Sequence, residues 1–173
     1  VGDNSEADGI LRYCARLTGV TMAQIMLNSQ DYMNAWAKLK DKFNLGDLML
    51  VSYPIDGPTV GDIRSFLTRT MTKRGLDPRV LIVDYIDNCR RPNRDSQYEE
   101  LGDLYTKFKN ICEEMKIVGW TASQTKVDTW NSGENAHLGS LGESSKKQHV
   151  VDAMLTMRQV NDYQYQVYVP KMR

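Results

Sequence analysis

Apolar residues recur every three or four positions in four stretches of this chain, and run together without that spacing in several shorter ones. Ser5 and the Ala, Ile and Leu positions after it predict a helix over Glu6–Thr18, stopped by Gly19. Tyr32, Met33, Ala35, Trp36 and Leu39 share helical spacing and predict a second over 29–43. Thr59 reads as the N-cap of a third over 60–73, with Ile63, Phe66, Leu67 and Met71 on one face. The longest, over 96–115, carries Leu101, Leu104, Phe108, Ile111 and Cys112 as its stripe, and a short helix is expected near Glu143. The compact apolar runs read as strands: LMLVSY over 48–53, then 80–86, 117–123, 150–157 and 163–169.

Turn chemistry separates these elements. PIDGPT follows the first strand, and RGLDP ends the third helix because Gly75 and Pro78 both resist continuation. Residues 88–95 form a polar, basic loop with Arg90, Arg91 and Arg94. Residues 124–141 form a Gly-, Asn-, Ser- and Thr-rich loop, long for the interior of a domain and therefore a place to look for function. Helix and strand alternate through the first two-thirds, and the strands are continuously apolar. That is the signature of a mostly parallel sheet covered on both faces. The last two strands flank a turn at Asn161 and Asp162 and read as an antiparallel hairpin. The expected architecture is a three-layer α/β domain.

Composition narrows the picture without redirecting it. With 173 residues, 41% hydrophobic and 25% charged, the chain is one domain's worth of ordinary globular sequence. Net charge is zero, so nucleic acid would have to be met by a local patch. Nowhere do eighteen apolar residues run together, so no membrane partner is expected. Cys14, Cys89 and Cys112 are an odd number in unrelated settings, which predicts free thiols and a cytoplasmic location. Neither His137 nor His149 has zinc-ligand spacing to a cysteine. The chain opens VGDNSEADGI with no initiator Met, and the expectation is that an upstream piece is missing.

Candidate chemistry falls at strand ends. Ligands of open α/β sheets bind outside the carboxyl ends of the strands. Asp3, Asp84 and the Ser123–Gln124 pair are predicted at such ends. An apolar strand ending in Asp, here LIVD over 81–84, is the Walker B arrangement, in which the carboxylate holds a nucleotide's magnesium. An aspartate capping a turn is the plainer reading of Asp84, as a macrodipole-favoured acid is of Asp3.

The order of the pieces is more specific than any one of them. LIVDY, a helix of about twenty residues, GWTASQ, a long polar loop, LGES and VVDAMLTM together resemble the C-terminal ATPase domain of DnaB-type replicative helicases. The resemblance spans nearly the whole chain. It implies a RecA-like P-loop NTPase fold that binds ATP and Mg2+ between subunits, assembles as a homo-oligomeric ring, hexameric in that family, and engages single-stranded DNA, a primase or a loader. Position by position, Asp84 resembles the magnesium-ordering carboxylate and Gln124 the polar sensor of the γ-phosphate. Asp3 falls where the family has a glutamate that activates water; aspartate is one methylene shorter, which leaves that role open. The ending VPKMR matches a family strand ending in Lys-x-Arg, so Lys171 and Arg173 correspond to cations that reach a neighbouring subunit's nucleotide. Fingers of this kind are worth on the order of 10³–10⁵ in rate. Residues two apart on a strand point the same way, so both can face one partner.

Nucleic-acid contact is expected from Arg90, Arg91 and Arg94, from Lys126 with Trp130, whose ring could stack on a base, and from Lys146 and Lys147. No GxxxxGK[ST] occurs, so the resemblance is to a domain whose first strand, P-loop and first helix lie upstream of residue 1. This polypeptide alone is then expected to be inactive. A recombinase or circadian-clock type ATPase, and a degenerate RecA-like scaffold without catalysis, are the competing expectations.

Overall fold

A computed structural model describes residues 6–54, 56–91, 97–123 and 145–172. The chain divides into two compact units, residues 2–55 and 56–173.

The first unit is helical: α1 (Glu6–Thr18), α2 (Met22–Leu27) and α3 (Ser29–Phe43). Gly19 ends α1 with φ of 71°, its N–H bonding the carbonyl of Ala15. Tyr13 of α1 meets Trp36 of α3 edge-on, with ring centroids 6.2 Å apart. The helix α2 was not expected, although its signal is present. Thr21 accepts from the N–H of Gln24 while the Gln24 side chain accepts from the N–H of Thr21, a reciprocal capping box. The strand expected over 48–53 is not formed. LMLVSY carries no regular secondary structure, because a strand needs a ladder as well as an apolar run.

In the second unit α4 (Val60–Arg74) begins at a capping box between Thr59 and Asp62 and ends at Gly75, φ 63°. β1 (Val80–Val83) follows, then a 3-10 turn over Ile86–Asn88, α5 (Gln97–Met115) and β2 (Val118–Thr121). β1 and β2 are parallel, with Val80 opposite Val118 and Val83 opposite Thr121. A short helix α6 (Ser145–Val150) leads to the antiparallel hairpin β3 (Ala153–Asn161) and β4 (Gln164–Met172). The parallel pair and the terminal hairpin are as expected. β3 starts later than 150, because Val150 closes α6.

One core organises this unit. Leu101, Leu104, Phe108, Ile111 and Cys112 of α5 pack with Ile63 and Leu67 of α4 and with Val83, Ile86 and Ile117. Gly119 of β2 lies so close to α5 that a Cβ there would stand 2.5 Å from the sulfur of Cys112. Lys109 of α5 reaches the carbonyl of Val150 at 3.0 Å and Asp152 at 2.8 Å, fixing the junction of α6 and β3. The opposite face of the parallel pair is open: Ile82 is 71% and Trp120 52% exposed, beside exposed Val80 and Val118. A third layer over this face was expected from the continuously apolar strands. The described strands make a parallel pair and an antiparallel hairpin, the two kinds of pairing expected of this α/β fold.

Candidate functional site

Asp84 directly follows the last residue of β1, exposed at the carboxyl end of a parallel strand. Its surroundings are built from β2. The Thr121 hydroxyl donates to the carbonyl of Val83 at 2.9 Å and accepts from the N–H of Ile86 at 2.9 Å. One side chain thus holds the backbone on both sides of the Asp84–Tyr85 turn, where the peptide bond is cis. Ile86 is fully buried beneath that turn.

Three residues on, Asp87 points back toward the rest of the unit. Its Oδ2 accepts from the hydroxyl of Ser123 at 2.9 Å and from the ammonium of Lys147 at 2.8 Å. Lys147 also lies 3.0 Å from the Ser123 hydroxyl and 5.1 Å from the centre of the Tyr105 ring. Burial, then the Asp87 charge, pushes the Tyr105 phenol far above its usual range, so it stays neutral.

The basic loop beyond is anchored at its start. The N–H of Arg90 bonds the carbonyl of Pro58 at 2.9 Å, and Cys89 is buried. Gly57, φ 67°, lies where a Cβ would meet the carbonyl oxygen of Asn88 at 2.2 Å, so this close approach requires glycine. Hydrogen bonds from Thr59 hold the Asp62 carboxyl below its usual range, and Arg90 acts in the same direction more weakly.

The predicted site residues are therefore partly placed. Asp84 and the start of the loop with Arg90 and Arg91 lie together after β1, Arg90 exposed and Arg91 half-buried. Lys171 lies in β4 opposite Met154, on a different sheet from Asp84. Lys147 is not on a nucleic-acid surface: only 7% exposed, its ammonium is committed to Asp87 and Ser123. Asp3, Arg94, Gln124, Lys126, Trp130 and Arg173 lie outside the described residues, as does the side chain of Lys146. Asp87 escaped sequence reasoning, since nothing local marks it as the partner of a lysine sixty positions away.

No protein-family model matches the sequence. A DnaB-like replicative helicase of Enterobacteria phage T4 is 28% identical in an alignment 159 residues long that covers 83% of this chain and 33% of that protein. The chain thus spans about a third of the length of the curated relative it matches. Among solved structures, an ATPase domain superposes with a TM-score of 0.77 at 15% identity, covering 99% of this chain and 64% of the other. A DnaB-like replicative helicase, described with its interactions with primase, gives a TM-score of 0.77 at 15% identity, over 99% of this chain and 44% of the other. The chain is therefore similar in sequence to a DnaB-like replicative helicase and has the α/β fold of helicase ATPase domains.

Proposed function

We propose that this chain is part of the ATP-driven motor of a replicative DNA helicase, in which nucleotide is bound between subunits of a ring and hydrolysis moves the protein along single-stranded DNA. The observation that carries the reading is the 28% identity to the phage T4 helicase, over a stretch that includes Asp84 at the end of its strand. The phosphate-binding strand, P-loop and first helix would lie upstream of residue 1. The exposed apolar face of β1 and β2 supports this, because continuously apolar strands are stable when covered on both sides.

The residues present fit a magnesium ion. Among the described residues no three His, Cys, Asp or Glu side chains gather into an all-protein cage. Mg2+ needs none: it keeps several waters and is held by one or two carboxylates together with substrate phosphate oxygens. Asp84 would be that carboxylate, and the bound ion would neutralise charge on the transferred phosphoryl group. The Thr121 bridge keeps the Asp84 turn in place through the cycle. Gln124, continuing from β2, would sense the γ-phosphate, and Asp3 would orient the attacking water. Lys171 and Arg173 would reach the nucleotide of an adjacent copy. Arg90, Arg91, Arg94, Lys126, Trp130 and Lys146 would contact the DNA strand.

Mixing wild-type and Lys171→Ala protomers of the protein that carries this chain tests the shared site. Hydrolysis should fall more steeply than the wild-type fraction, because each variant copy disables its neighbour. A strictly proportional fall would mean that Lys171 serves its own subunit or none.

A further inference from the structure

The Asp87–Ser123–Lys147 cluster is set apart by what it connects. Asp87 sits three residues after Asp84, on the turn that closes β1. Ser123 immediately precedes Gln124, and Lys147 lies on α6, the first described helix beyond that stretch. A single carboxylate oxygen therefore joins the Asp84 turn to the residues on either side of 124–144 in sequence. All three contacts are hydrogen-bonded at 2.8–3.0 Å. The second oxygen of Asp87 and the Tyr105 hydroxyl are buried beside them without a well-aligned hydrogen bond among the described residues.

Stability alone is a poor reason for such a cluster. Removing an ammonium and a carboxylate from water offsets most of their attraction, and apolar side chains of like volume often hold a fold equally well. What an ion pair adds is geometry, because its energy depends steeply on where the two charges stand. We propose that Asp87 and Lys147 are positioning residues: through Ser123 they tie the Asp84 turn to the end of β2 and to α6, and so couple hydrolysis at the nucleotide to engagement of DNA. This rests on the motor reading above. Both act through Ser123 rather than on nucleotide or DNA.

The test uses the protein that carries this chain, with the double variant Asp87→Leu/Lys147→Met, which keeps the volume and removes both charges. Melting temperature, affinity for a fluorescent ATP analogue with Mg2+, and hydrolysis with and without single-stranded DNA are compared with wild type. The variant is expected to melt and bind nucleotide as wild type does and to keep its basal hydrolysis. The stimulation by DNA should fall about tenfold or more, within the usual range of coupling between two sites. A folded variant with undiminished stimulation overturns the inference and leaves the motor reading intact. Should the double variant fail to fold, Asp87→Asn carries the same comparison, and its failure to fold as well would assign the cluster a purely structural role. A wild-type protein without DNA-stimulated hydrolysis removes the motor reading, and this inference with it.

Discussion

Thr121 and Ile86 are joined by a 2.9 Å hydrogen bond from the buried backbone N–H of Ile86 to the Thr121 hydroxyl, whose own proton goes to the carbonyl of Val83. Together the two bonds bracket Asp84. Replacing Thr121 by Val keeps the shape and leaves the Ile86 N–H unpaired, which should cost about 1–3 kcal/mol of stability. Thr121→Ser keeps the hydroxyl and should retain most of it. Urea unfolding of the three proteins checks the order; equal stability of the Val and Ser variants would show that the bridge is dispensable.

Gly119 presents a different constraint. Its α-carbon faces Cys112 and Phe108 of α5, and an added Cβ would stand 2.5 Å from the sulfur and 3.0 Å from the ring. Overpacking of this kind costs about 1–3 kcal/mol. Gly119→Ala should therefore lower the melting temperature, and the pair Gly119→Ala with Cys112→Ala should recover part of the loss. Absence of recovery would place the strain elsewhere.

Buried thiols give the pH dependence a sign. Burial first, and the neighbouring Glu113 second, raise the Cys112 thiol above its ordinary 9.0; burial chiefly raises Cys89. A raised value means that the folded state holds its proton where the unfolded chain releases it. This contribution is complete below pH 9.0 and is lost as pH climbs through the folded values. Melting temperature should thus be level from pH 7 to 8 and decline above 9. Cys112→Ala should make that decline shallower, and iodoacetamide should label native Cys89 and Cys112 far more slowly than the unfolded chain.

Local signals in the sequence mark most of the helices. The Glu6–Thr18 and Ser29–Phe43 helices stand where apolar spacing and Gly19 put them, since caps and periodicity are written within a few residues. The Thr21–Gln24 capping box is equally local. LMLVSY misled because strand formation depends on a partner, and no property of the six residues says whether one exists. Asp84 was visible as the acid ending an apolar run. The role of Lys147 was not: a lysine beside Lys146 in a polar stretch reads as surface charge, and its burial depends on Asp87, Ser123 and Tyr105, which come together only in the folded unit.

Asp84→Asn in the protein that carries this chain tests most directly whether the Asp84 carboxylate holds magnesium at a bound triphosphate. Magnesium-dependent ATP hydrolysis in the presence of single-stranded DNA should fall by at least the roughly 10–100-fold that even outer partners of a metal site cost. The variant's melting temperature should stay near that of wild type, because Asp84 is exposed. Wild-type turnover in a folded Asp84→Asn protein would contradict the account.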